Sequence, residues 1–363
     1  MPAATSDNRT VNTQRLAVDP DRLDTTEARH AIAQAAGILR RGGLVALPTE
    51  TVYGLGANAL DAAAVARIFE AKQRPYWDPI IVHIAGPVAQ NQMLHQLVAE
   101  IPVAAHKLMA AFWPGPLTLL LPRSTAVPGV VTAGRTLVGV RMPAHPVAFS
   151  LIQQAGVPVA APSANVFGHI SPTTASHVLE DLDGRIDAIL DAGPTLHGVE
   201  STVLDPTQMM IYRPGAITAD QIRAIAGPVE FFQAAPQSEP REALPSPGVG
   251  LRHYAPRARL VLIESALDAL PRCFVETAAR FQNQKVGLML PAELSADESI
   301  AALHTEVFPW GRWAAADELA RNLYAGLRTL DALECTVILC PLPPEAGLGD
   351  AICDRLRKAA QST

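Results

Sequence analysis

The stretch "LVALPTETVYGLGANA", residues 44–59, changes character at Pro48, where a short apolar run of strand type gives way to a loop of threonines, a tyrosine and glycines. Just upstream, "TTEARHAIAQAAGILRRGG" carries apolar residues at helical spacing, with Thr25 or Thr26 able to cap it and Gly42 able to stop it. A helix feeding a strand that opens into a polar loop is one unit of an α/β fold. The theme recurs to about residue 226, where "IIVHI", "LTLLLP", "LVGVRMP", "VPVAAPSAN", "AILDAG", "STVLDP" and "MMIYRPG" alternate with helical segments. The loop itself has two readings: a tight turn with satisfied hydroxyls, or a cradle in which hydroxyls and close backbone hold a small polar ligand.

Residues 227–258 break the pattern, with prolines at 228, 236, 240, 245, 247 and 256 and little periodicity. Such a segment is a linker or a functional lid. Beyond it, "RLVLIE", "KVGLMLP", "TEVFPWG" and "TVILCPLP" are each followed by a helical stretch, which predicts a small, doubly wound, Rossmann-like domain with a parallel sheet. Its first turn, "LIESALD", has no glycine fingerprint for phosphate. The expected organisation is a mobile tail at 1–24, a first α/β domain at 25–226, the linker at 227–258 and a second α/β domain at 259–363.

The bulk numbers exclude several classes. A formal charge of -6 over 363 residues, with a pI near 5.9, argues against holding nucleic acid by bulk charge and leaves only a local patch for weak RNA contact. The start of the chain has no apolar leader core, and no later run is long enough to span a membrane, so a cytoplasmic protein without membrane partners is expected. Cys273, Cys335, Cys340 and Cys353 form no CxxC pair, and the histidines show no HxxxH or HExxH grouping, so reduced thiols rather than structural zinc are expected.

Several stretches could carry chemistry. In "FEAKQRPYWDP", residues 69–79, Lys72 and Arg74 end a helix that Asp61 can cap and Pro75 must stop. They either favour the helix dipole at a solvated end or converge on an anion, the lysine as a compact charge and the arginine as a fork for phosphate oxygens. Arg141 ends the strand of "VGVRMPAH" and either snorkels outward or binds a carboxylate bidentately. Ser163, Asn165 and Ser171 sit on a punctuated loop, where a Ser-x-Asn pair suits phosphate, ribose or a metal-bound water but is also a common turn. Ser201 and Thr202 start a strand, Arg213 ends one, and Arg252, His253 and Tyr254 lie in the linker. No Walker A loop, GxGxxG or GxSxG is present.

The order "PTETVYGLG", "KQRP", "VRMP", "PSAN" with "SPT", "STV", "YRPG" and "HYAP" resembles the threonylcarbamoyl-AMP synthase family in its long, two-domain form. The resemblance implies a YrdC-like catalytic domain, a twisted mixed α/β sheet around a deep positive pocket, followed by the family's accessory C-terminal domain. It implies a nucleotidyltransferase reaction in which L-threonine, bicarbonate and ATP give L-threonylcarbamoyl-adenylate and pyrophosphate. The product would pass to the tRNA threonylcarbamoyl transferase machinery that modifies adenosine 37. Carried over by motif, Lys72 and Arg74 would be catalytic and, with Ser163, Asn165, Ser171, Arg213, His253 and Tyr254, would bind ATP. Thr49, His83, Arg141 and Ser201 would bind threonine. Mg²⁺ is expected with ATP, held largely by phosphates and water, with no protein ligand named. The segment "SPGVGLRHYAP" is expected to fold over the pocket as a lid that shelters unstable intermediates.

The chain departs from the family pattern twice: Tyr76 and Trp77 follow Lys-x-Arg-Pro, and Val166 and Phe167 follow Ser-x-Asn. The rival readings are a carbamoyl transferase acting on carbamoyl phosphate and a non-catalytic RNA-binding protein.

Overall fold

In a computed structural model, the structure describes residues 12–233, 246 and 254–361. Most of the expected lid, residues 247–253 with Arg252 and His253, lies outside the described residues. Two sheets organise the rest. The first has eleven strands in the spatial order Gln14–Ala17, Ala188–Asp191, Val45–Leu47, Gly54–Asn58, Val159–Ala160, Val82–His83, Leu137–Arg141, Leu117–Pro122, Thr202–Asp205, Met210–Arg213 and Glu230–Phe231. Its pairings are mixed, parallel at the Val82–His83 and Leu137–Arg141 junction and antiparallel between Leu117–Pro122 and Leu137–Arg141. The second sheet has four strands, Arg259–Ile263, Val337–Pro341, Val286–Pro291 and Glu306–Gly311, all parallel. The expected mixed-sheet and parallel-sheet α/β domains are therefore both present. The strand Glu230–Phe231 extends the first sheet past residue 226, into the stretch assigned to the linker.

The opening stretch folds differently from its reading in one respect. The strand Val45–Leu47 is followed by a second strand, Gly54–Asn58, paired antiparallel to it, so the loop ends at Tyr53. The glycines that argued for a loop serve close packing instead. A Cβ on Gly56 would lie 2.9 Å from both Leu47 Cδ2 and Val159 Cγ1. Glycine lowers strand propensity, which hides such a strand in the sequence.

The helix caps behave as read. Thr25 accepts from Ala28 N at the start of the helix Thr26–Arg40, and Asp61 accepts from Ala63 N and Ala64 N at the start of Ala62–Lys72. Cys335, Cys340 and Cys353 are buried, Cys273 is partly exposed, and all four are free thiols. Among the described residues no helix is long and apolar enough to cross a membrane.

The two domains share a core. Val52, Ile170 and Val199 of the first pack in one cluster with Leu319, Leu323, Tyr324, Ile352 and Leu356 of the second. Polar contacts reinforce it: Arg328 donates to Ile170 O at 2.6 Å and pairs with Glu180 and Asp181 at 2.9 Å, and Arg321 Nε donates to Leu196 O at 3.1 Å. Gly198, at φ +72°, lets the first domain's loop lie against the helix Ala316–Ala332, where a Cβ would meet Ala320 O at 2.5 Å. Both the clash and the left-handed backbone oppose a side chain there. Gly198→Ala is expected to lower stability by about 1–3 kcal/mol, read as a shifted denaturant midpoint, and an unchanged midpoint would contradict this packing.

Candidate active site

A cleft opens where the loop after Leu47 meets the ends of five other strands, Val82–His83, Leu137–Arg141, Val159–Ala160, Thr202–Asp205 and Met210–Arg213. It is lined by Thr49, Thr51, Val52, Gly54, Arg74, Pro79, Ile81, His83, Arg141, Ala161, Pro162, Ser163, Glu200, Ser201, Arg213 and Tyr254. Of the predicted residues, Thr49, His83, Arg141, Ser201, Arg74, Ser163, Arg213 and Tyr254 thus meet at one place. Lys72, Asn165 and Ser171 are buried but do not line it. His253 lies outside the described residues.

Each arginine is held by its own carboxylate or carbonyl partners. Arg141 Nη2 lies 2.7 Å from Glu50 Oε1, its Nη1 donates to Thr51 Oγ1 at 2.9 Å, and its Nε donates to Gly115 O at 3.2 Å. It neither snorkels out nor stands alone. Thr49 completes the corner, donating to Val52 O at 2.7 Å and lying 2.8 Å from the Thr51 hydroxyl. Burial pushes the Glu50 carboxyl up, yet Arg141 leaves it below the ordinary range.

The helix Ala62–Lys72 ends in Gln73, left-handed at φ 53°. Arg74 N then bonds back to Phe69 O at 2.9 Å, and the chain reverses. Lys72 stays inside, its ammonium donating to the carbonyls of Ser163 and Asn165, while Arg74 reaches the cleft. Burial first, and then Arg74, depresses the Lys72 ammonium well below its usual range. Arg74 is braced by Asp78 Oδ2 at 2.9 Å and Pro79 O at 2.7 Å. Its guanidinium sits 5.9 Å from the Phe167 ring centroid, and Phe167 meets Trp77 edge-on at 5.9 Å. The two departures from the family pattern therefore touch each other beneath one cation. Tyr76 instead stacks on Phe69, with centroids 4.6 Å apart.

Asn165 donates to Val166 O and His169 O, fixing its own loop, and its buried Oδ1 has no partner among the described residues. Arg213 donates to Ser201 O at 3.0 Å and to Ser201 Oγ at 3.1 Å, and Ser201 Oγ lies 2.8 Å from Thr118 Oγ1. Ser171 donates to Glu200 Oε1 at 2.6 Å. Tyr254 stacks on Tyr324 at 5.7 Å, and burial pushes its hydroxyl up to about 12.

The sequence reading passed over Glu50, Thr51, Asp78 and Glu200. Glu50, Thr51 and Asp78 stand inside the quoted stretches and Glu200 directly precedes Ser201, and a rule that buried cations seek carboxylates would have singled out the acids. The cleft is a concave, cation-bearing site whose charge suits an anionic ligand.

His83 is fully buried, and its Nδ1 has no partner among the described residues. Burial first, and then the Arg141 charge, lowers its pKa from 6.5 to about 3, so the ring is neutral at pH 7. As the pH falls from 6.5 towards 3, the unfolded chain takes up the proton before the folded one. Stability is therefore lost across that window, with a slope of up to about 1.4 kcal/mol per pH unit. Denaturant unfolding at several pH values is expected to show a shallower acid loss in His83→Gln than in the parent, and parallel profiles would contradict it.

Comparison with known proteins assigns the whole chain to a family. Residues 37–215 match the Sua5, YciO and YrdC family model described as Telomere recombination, and residues 217–361 match the model described as Threonylcarbamoyl-AMP synthase, C-terminal domain. The threonylcarbamoyl-AMP synthase of Pyrococcus abyssi is 46% identical over 330 residues, covering 90% of this chain and 93% of its own. That of Bacillus subtilis is 43% identical over 354 residues, covering 96% and 98%. The crystal structure of Pyrococcus abyssi Sua5 complexed with L-threonine superposes with a TM-score of 0.86 at 43% identity, covering 96% of this chain and 98% of its own.

Proposed function

The chain belongs to the threonylcarbamoyl-AMP synthase family, and from that premise we propose that it joins L-threonine, bicarbonate and ATP into L-threonylcarbamoyl-adenylate, releasing pyrophosphate. The observation that carries this reading is the convergence of Thr49, His83, Arg141 and Ser201 with Arg74, Ser163, Arg213 and Tyr254 on one cleft. The Pyrococcus abyssi relative's L-threonine complex supports threonine as one occupant.

The chemistry has two steps. The threonine amine nitrogen adds to the carbon of bicarbonate with loss of water, giving a carbamate. A carbamate oxygen then attacks the α-phosphorus of ATP, and the bond to pyrophosphate breaks. Neither step needs a side-chain nucleophile; both need reactants held in line and charge neutralised. Arg141, fixed by Glu50 and Thr51, takes the threonine carboxylate as a two-pronged donor. His83, neutral and with a ring nitrogen to spare, suits a polar atom of the same ligand. Arg74 and Arg213 take phosphate oxygens, and Ser163 adds a hydroxyl. Lys72 acts from behind, holding the Ser163 and Asn165 carbonyls inward so that the loop keeps its shape. Asn165 and Ser171 likewise support the ATP side through the loop and Glu200.

Mg²⁺ brought in with the nucleotide would supply charge neutralisation at the phosphates, beside Arg74 and Arg213. Glu50, Asp78 and Glu200 are each engaged by an arginine, so no dedicated carboxylate cage stands in the cleft among the described residues. The adenylate product suits transfer of the threonylcarbamoyl group to a tRNA adenosine by a separate transferase, with this protein working in the cytoplasm.

Mass spectrometry after mixing protein, ATP, Mg²⁺, bicarbonate and threonine is expected to reveal threonylcarbamoyl-adenylate, with serine as the control substrate; its absence would overturn the reading. Arg141→Ala should raise the threonine KM far more than the ATP KM, and equal changes would remove Arg141 from the carboxylate. Arg74→Ala and Lys72→Ala should each abolish ATP-dependent pyrophosphate exchange; near-parental exchange would remove Arg74 from the phosphate side, and in Lys72→Ala it would show that the hold on the Ser163 and Asn165 carbonyls does not shape the site.

A further inference from the structure

Glu200 presents an anionic side chain to a cleft read as a polyphosphate site, and that contradiction needs a physical resolution. The carboxylate is buried and saturated by donors. Ser171 donates to Oε1 at 2.6 Å, Tyr324 to Oε2 at 2.9 Å, and Arg355 Nε to Oε2 at 2.8 Å. Two of these three donors come from the second domain. Arg355 has only 1% of its side chain exposed, pairs also with Asp354 at 2.6 Å, and places its guanidinium 5.3 Å from the ring centroid of Tyr254, another lining residue. Burial pushes the Glu200 carboxyl up, but the charges of Arg355 and Arg213 and the bonds from Ser171 and Arg355 hold it near 2, fully ionised at neutral pH.

We propose that Arg355 is a positioning residue for nucleotide binding: by neutralising Glu200 and backing Tyr254, it lets the first domain's cleft accept a polyphosphate, so the second domain is part of the nucleotide site. This rests on the reading of the cleft as an ATP site. An ionised carboxylate at the cleft wall with no counter-charge would repel phosphate through a medium of low dielectric, where one unit charge acts strongly. In the first domain Arg213 adds its charge but is hydrogen-bonded to Ser201 rather than to Glu200, and Arg74 and Arg141 are turned to Asp78 and Glu50, so the arginine bonded to this carboxylate comes from the second domain.

The test is calorimetric titration of the full chain with ATP, with pyrophosphate and with threonine. Arg355→Met is expected to weaken ATP and pyrophosphate on the order of tenfold or more while leaving threonine within about twofold. Adding Glu200→Gln to Arg355→Met should recover most of the lost polyphosphate affinity, because the uncancelled charge is removed. A merely structural arginine would weaken all three ligands, and the second substitution would not rescue it. The proposal is overturned if Arg355→Met binds ATP within about twofold of the parent, if threonine weakens as much as ATP, or if the double variant is no better than the single one. Should Arg355→Met fail to fold by circular dichroism, Arg355→Lys with and without Glu200→Gln is judged by the same criteria, with a smaller loss expected. A parent that binds pyrophosphate with this pattern but makes no adenylate would leave the inference standing and remove the proposed reaction. A parent that binds neither ATP nor pyrophosphate would overturn both.

Discussion

The buried carboxylate of Glu200 is the constraint on which the architecture turns. A charge removed from water needs partners, and this one finds them in both domains: Ser171 on one side, Tyr324 and Arg355 on the other. Satisfying it brings the helix Leu348–Ala360 against the first domain and fixes Tyr254 between Arg355 and Tyr324. The apolar cluster around Val52, Val199, Leu319 and Leu323 supplies the area, and the carboxylate supplies the register.

The same device is repeated around the cleft. Arg141 with Glu50 and Arg74 with Asp78 are also buried arginine–carboxylate pairs. Such pairs contribute little net stability, because desolvation offsets most of the attraction. What they give is direction. A guanidinium whose orientation is fixed by its partners stays aimed, and an aimed cation binds an anion without first losing side-chain freedom. The aromatic pair Trp77 and Phe167 belongs to this logic, since it supports the Arg74 plane.

Much of the fold was legible because its signals are local. Apolar runs ending in Arg141 or Arg213 before proline mark strand ends, and Thr25 and Asp61 mark helix starts. The strand Gly54–Asn58 was not legible, because two of its residues are glycines whose value lies in what packs over them. The cleft's cations could be picked out by type, but their roles depend on distant partners. Glu200 gives no sign that its arginine lies 155 residues ahead, and Lys72 gives no sign that it faces carbonyls 91 and 93 residues away rather than the cleft. The contact between Trp77 and Phe167 is equally invisible, since each is merely an aromatic in a loop until the loops meet.

The shared cluster around Tyr324 has a consequence for how the molecule comes apart. Withdrawing the second domain would expose Val52, Ile170 and Val199 and take from Glu200 its bonds to Tyr324 and Arg355. Those costs fall together, so partial opening gains little chain freedom for a large loss of contact. The two sheets thus behave as one cooperative unit, unlike domains that meet across a wet, polar surface and melt separately.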